Sequence, residues 1–173
     1  MIKNILVCMM ALMMASPAFA QDTRNWDKRS GVRFGYGYLN GVRELEDMNN
    51  PGKAKRLSPH TFVMGFEMQQ VMEGGDWLDI LFIENITISG LDQSVINPSA
   101  SVLVGFEIDK QIQLGVGPNI STFDPSGKDK LVHLIMAVGW TAQAGVFSVP
   151  VHFSFIPDAD GYWAAALTTG VNW

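Results

Sequence analysis

From Ser30 to Trp173 the chain is made of segments in which large apolar residues alternate with small or polar ones. That period of two sends successive side chains to opposite faces of a β-strand. Eight such segments are predicted, at residues 30–40, 60–72, 77–89, 100–109, 112–122, 131–143, 147–156 and 162–173. Most approach the roughly 9–11 residues that a tilted strand needs to cross a hydrocarbon core. Strands of soluble proteins are commonly shorter, with a mode of about five or six residues. The last segment, Trp163 to Trp173, keeps Leu167, Thr169, Val171 and Trp173 on one face and finishes on an aromatic.

The connections alternate in length. Residues 41–59, 90–99, 123–130 and 157–161 make four longer links, whereas 73–76, Lys110 and 144–146 are short. Short turns at one end and longer loops at the other are expected of an up-and-down barrel in the outer membrane, with both termini on the turn side.

The two faces differ in chemistry. One carries Val32, Phe34, Tyr36 and Tyr38, then Phe62, Met64, Phe66 and Met68, and later Val149, Val151, Phe153 and Phe155. The other carries Gly35, Gly37, Gly65 and Gly105 with Gln69, Gln113, Asn119, Ser121 and Thr141. A soluble barrel turning its polar face to water would be rich in Lys, Glu and Asp there. Small, neutral polar side chains instead suit a narrow interior filled by side chains, with the apolar face toward lipid. The fold class expected is therefore all-β, an eight-stranded antiparallel up-and-down transmembrane β-barrel. Aromatics near strand ends fit interfacial girdles, with Trp77, Phe147 and Trp173 at one rim and Tyr38, Phe62, Phe155 and Trp163 at the other. The competing reading is a soluble, lipocalin-like periplasmic carrier, which needs the Phe- and Val-rich faces to line an inner cavity.

The first 20 residues read as a signal peptide: Lys3, an apolar stretch from Ile5 to Met14, and Ala18-Phe19-Ala20 as the cleavage site. Leu6-Val7-Cys8 loosely echoes a lipobox, but cleavage there would leave almost no apolar core in the leader. Residues 21–173 then form one barrel domain. Cys8 is the sole cysteine, so no disulfide is expected to hold the mature fold. Losing Lys3 takes the net charge from −5 to −6, which argues against a nucleic-acid partner. The mature chain has no apolar run long enough for a spanning helix, so insertion would be by strands.

With the leader, the eight segments and the terminal Leu167, Thr169, Val171 and Trp173 together, the chain resembles the small eight-stranded outer-membrane β-barrel proteins of Gram-negative bacteria. The resemblance implies an outer-membrane location and a C-terminal strand read by the barrel-assembly machinery. Thr169 is milder than that pattern prefers. Members of the family include adhesins, small-molecule channels, membrane-stabilising proteins and lipid-modifying enzymes, so the fold leaves function open. A structural or external-loop binding role is expected here, without enzymatic activity.

On the inward parity lie Arg33, Glu67, Glu107, Asp109, His133 and His152. Buried charges are tolerated when paired, so Arg33 is expected to neutralise Glu67 or Glu107 in a polar network that plugs the lumen. A porin-like ion or solute path is the alternative. His152 and Ser154, two apart on one strand face, have the flavour of a base and nucleophile. A His-x-Ser near the C-terminus resembles the lipid A deacylases of the outer membrane, which implies a lipid A acyl-modifying enzyme as the second function. That resemblance asks for an acidic partner downstream, and only Asp158 and Asp160 are available, both in a loop. Parity also turns His152 and Ser154 inward, away from a lipid substrate.

Glu84 sits among Ile80, Phe82, Ile86 and Ile88 on a lipid-facing parity, so a β-bulge near 83–85 or an inward rotation is expected. Eight of the 11 basic residues of the mature chain fall between Arg24 and Arg56. Lys53, Lys55 and Arg56 in the first long loop are candidates to meet lipopolysaccharide phosphates. His60, His133 and His152 show no metal-ligand spacing, and neither a metal nor a cofactor is expected.

Overall fold

A computed structural model describes residues 26–40, 44–46, 54–56, 58–122, 131–158 and 161–173. The leader, residues 1–20, and Lys53 lie outside the described residues. Ten strands occur among these: β1 (Trp26–Asn40), β2 (Glu44–Glu46), β3 (Ala54–Arg56), β4 (His60–Met72), β5 (Leu78–Ser89), β6 (Asn97–Ile108), β7 (Ile112–Ser121), β8 (Val132–Ala144), β9 (Phe147–Pro157) and β10 (Trp163–Asn172). The short β2 and β3 pair with each other, Glu44 opposite Arg56 and Leu45 opposite Lys55. The other eight close into one antiparallel barrel in the order β1-β10-β9-β8-β7-β6-β5-β4.

Closure is completed at Ser30 and Trp173. The Trp173 N–H donates to the Ser30 carbonyl at 2.8 Å, and the Ser30 N–H to the Trp173 carbonyl at 3.1 Å. The register then sets the barrel's shape. Following paired residues from Trp26 to Met72, Ile80, Phe106, Leu114, Val138, Phe153 and Leu167 returns to β1 at Tyr36, a stagger of ten residues. Strands so staggered must tilt strongly, and a barrel of eight has an interior just wide enough for side chains.

Every residue on that path points outward, and the exterior is apolar. Phe34 is 48% exposed, Phe106 49% and Leu167 56%. Inward positions reverse the pattern: Arg33, Glu67, Gln69, Glu107, Gln113, Asn119, His133 and His152 are all buried. The lipocalin-like reading is thereby overturned, because Phe66 and its row face out and the lumen wall is polar. The interior also has an apolar layer, Val71, Leu81, Ile83, Leu103 and Ile135, with Ala137 and Ile156 against it. Aromatics gather at the loop end, where Tyr38 and Trp163 rings lie 5.2 Å apart and Phe155 and Trp163 6.0 Å.

Three expectations need correction. The first strand starts at Trp26 rather than Ser30, because Asp27, Lys28 and Arg29 find ladder partners in Val71, Gln70 and Gln69. Their polar side chains hide that extension from a reading based on apolar alternation. Asp109 is not interior: it and Lys110 form a two-residue turn with φ of 50° and 57°, closed by the Gln111 N–H to the Ile108 carbonyl at 3.0 Å. Glu84 neither bulges nor turns inward. It pairs with Met68 and Val102 in ladders whose register is continuous on both sides, and those two ladders hold it in outward phase. There it lies half-buried beside a groove of about 270 Å³ lined by Phe66, Met68, Ala100, Val102 and Ile120.

Candidate functional site

The lumen divides into two halves. Toward the turn end it is closed by a polar plug; toward the loop end it opens into a vestibule.

β1 supplies both plug cations, since Arg29 and Arg33 are four apart on the inward face. Arg29 grips Glu107 with two bonds, Nη1 to Oε1 at 2.7 Å and Nη2 to Oε2 at 3.1 Å, and its Nε reaches the exposed Asp27 at 2.8 Å. Arg33 gives its Nη2 to Glu67 Oε1. The pairing anticipated for Arg33 thus falls on Glu67, and Glu107 has a different partner. Arg29 was missed because it precedes the first apolar alternation. Its signal was a basic residue four positions before Arg33, matching two inward carboxylates.

Two glutamines tie the ion pairs together. Gln69 and Gln113 exchange amide hydrogen bonds at 3.1 Å in both directions. Gln69 Nε2 also donates to Glu67 at 2.7 Å, and Gln113 Nε2 to Glu107 at 2.7 Å. A carboxylate only accepts, so Glu107 fixes which way the Gln113 amide faces. Its oxygen is then left for His152, whose Nε2 lies 2.7 Å away, while His152 Nδ1 faces Glu67 Oε2 at 3.4 Å. Both ring nitrogens of His152 therefore lie beside oxygen atoms of the plug. Farther toward the turn end, buried Asp79 accepts from the Gly74 backbone N–H at 3.0 Å.

This geometry decides how His152 and Ser154 relate. They share the inward face of β9, yet among the described residues no hydrogen bond joins them. The carboxylate beside His152 is Glu67 and not Asp158, while Asp160 lies outside the described residues. In a nucleophile–base–acid relay the second ring nitrogen would take a proton from the hydroxyl. Here that nitrogen is held by Gln113, so His152 is not placed as a base for Ser154. Asp158 lies instead 3.8 Å from His133, near the loop end of β8 and β9.

Above the plug, small residues of every long strand leave a cavity of about 160 Å³. Its floor is Arg33, Glu67 and His152; its wall includes Asn85, Ser101, Asn119, Ser154, Ala166 and Thr168; its mouth is framed by Tyr38, Thr61, Ser89 and Asn97 at strand ends. Arg33, 3% exposed, has no hydrogen-bond partner on Nε or Nη1. At the rim a 3₁₀ turn, Leu91–Gln93, is pinned against β4: Asp92 accepts from the Phe62 N–H at 3.0 Å, and Gln93 Nε2 donates to the His60 carbonyl at 2.5 Å. Lys55 and Arg56 belong to β3 in the first long connection.

No protein-family model and no curated protein matches the chain. Among solved structures, it is similar to Ail, the attachment invasion locus protein of Yersinia pestis. The crystal structure of Ail aligns at 16% identity over 85% of this chain and 99% of that one, with a TM-score of 0.47. Ail in a phospholipid bilayer nanodisc aligns at 16% identity over 85% of this chain and all of that one, with a TM-score of 0.43. Ail in complex with the heparin analogue sucrose octasulfate gives 12% identity, 85% and 99% coverage, and a TM-score of 0.42. The barrel assignment itself rests on the strand pairing described above.

Proposed function

We propose that this protein is a non-enzymatic outer-membrane β-barrel, with its loop end outside the cell and its binding role in the external loops. One observation carries the reading: the barrel is inside out, with Phe34, Tyr36, Phe106 and Leu167 about half exposed and Glu67 and Glu107 buried. In water an apolar belt of this extent would be unfavourable by about 25 cal/mol per Å². Soluble monomers rarely expose contiguous apolar patches beyond a few hundred Å². In a bilayer the belt meets hydrocarbon, and a closed barrel leaves no unpaired backbone in it.

On this reading residues 1–20 direct export and are removed. Leu167, Thr169, Val171 and Trp173 present the strand recognised by the barrel-assembly machinery. Lys53, Lys55 and Arg56 lie on the external side, where lipopolysaccharide phosphates are their natural partners. Acyl transfer or hydrolysis on lipid A is disfavoured because His152 and Ser154 face the lumen and His152 is committed to Glu67 and Gln113.

Cell fractionation and gel mobility test the proposal. The unheated protein should run faster than the boiled sample and should sediment with outer membranes. Recovery in the soluble periplasm with no mobility change would overturn it.

A further inference from the structure

We infer that the vestibule is a binding site for a small oxyanion, a carboxylate or phosphate group on a solute that enters at the loop end, held at its floor by Arg33. Two features converge on this. The cavity wall combines an apolar layer that includes Leu103, Ile135 and Ile156 with amide and hydroxyl side chains, Asn85, Ser101, Asn119 and Thr168 among them, which can bond a polar solute without competing for its charge. Arg33 is buried with its Nε and Nη1 donors unbonded, although its Nη2 is held by Glu67. A guanidinium fixed by one carboxylate, with two further nitrogens unbonded, is a preorganised donor for a second oxyanion.

The charges around the floor are matched: Arg33 faces Glu67, and the neighbouring His152 ring lies between Glu67 and Gln113. Arg29 and Glu107 cancel each other below, and Asp79 lies at the far turn end. Asp158 and His133 stand at the mouth, 3.8 Å apart, and Asp92 is bonded to the rim of β4. An entering anion thus passes a paired carboxylate before reaching Arg33. Among the described residues, the plug closes the other end.

The site is separate from the external-loop role and requires only the closed barrel, so it is testable in detergent or nanodiscs. Mature protein with ¹⁵N label is titrated with inorganic phosphate and, separately, with acetate across the millimolar range. The Arg33 Nε–H resonance and the amides of Ser101 and Asn119 should shift saturably. The charge-balanced variant Arg33→Gln/Glu67→Gln should weaken the response about tenfold or more, the loss expected for one charge-assisted hydrogen bond. Ala166→Phe, which fills the vestibule and leaves the plug residues unchanged, should abolish it. Each variant is first checked for the folded gel mobility. An Arg33 signal that does not move, or a non-saturating drift identical in the folded variants, would overturn the site.

Discussion

His152 stands directly across the β8–β9 ladder from Gly139, and its imidazole fills the space that a Cβ at position 139 would need. The glycine is thus what lets the ring lie flat against the wall while reaching Glu67 and Gln113 on other strands. Gly139→Ala should force the ring out of the network and destabilise the barrel by about 1–3 kcal/mol, the range for overpacking a filled interior. Urea unfolding followed by tryptophan fluorescence would measure it. An unchanged midpoint would show that His152 has room the geometry denies.

Breaking one ion pair should be worse than removing it. Glu67→Gln leaves the Arg33 guanidinium buried without its carboxylate, at about 3–5 kcal/mol. Arg33→Gln/Glu67→Gln together should recover a large part of that loss. A double variant less stable than the worse single variant would mean that the pair does not compensate as drawn.

Arg29→Gln should cost about as much as Glu67→Gln, about 3–5 kcal/mol, because it leaves the Glu107 carboxylate, 0% exposed, without the cation that makes two bonds to it. Parallel unfolding curves for the two variants test this, and an Arg29→Gln midpoint close to that of the unmutated protein would show that Glu107 does not depend on Arg29.

The Asp109–Lys110 turn holds two side-chain-bearing residues at positive φ, 50° and 57°. Two-residue turns of this handedness favour Asn-Gly or Asp-Gly, and the left-handed region disfavours a Cβ by about 1–2 kcal/mol. Lys110→Gly, which makes the turn Asp-Gly, should therefore stabilise the barrel by about 1 kcal/mol. A lower unfolding midpoint would sink this account of the turn.

Trp173 has two separable contributions. Its backbone closes the barrel to Ser30, and its ring packs 6.4 Å from that of Phe66. Trp173→Ala keeps the backbone bonds, so refolding into detergent should be nearly unimpaired, whereas the amount assembled in cells should fall if the assembly machinery reads the ring. Equal assembly of both proteins in cells would remove Trp173 from the recognition signal.

The eight strands and their two faces were legible because each parity has its own chemistry: Val32, Phe34 and Tyr36 against Gly31, Arg33 and Gly35 leave one solution. Strand β5 was harder. Leu81 and Ile83 are as apolar as Ile80 and Phe82, so parity could not reveal that the former pair joins an interior layer with Leu103 and Ile135. The same ambiguity made Glu84 look misplaced. The partner choice within the plug was out of reach for another reason. Pairing Arg33 with Glu67, and His152 with both Glu67 and Gln113, depends on a ten-residue stagger that no single strand encodes. Arg29 was hidden by its neighbours Asp27 and Lys28, which read as loop until the ladder to β4 claims them.

The seam between Ser30 and Trp173 also bears on how the molecule comes into being. Until those two residues meet, β1 and β10 each offer an open edge, the kind of surface that recruits stray strands. Arg29 and Glu107 are 78 positions apart, and Gln113 and His152 are 39. High contact order of this kind slows folding, because loop entropy is lost before long-range contacts return it. The edges of β1 and β10 must therefore be shielded until the two ends of the chain are brought together.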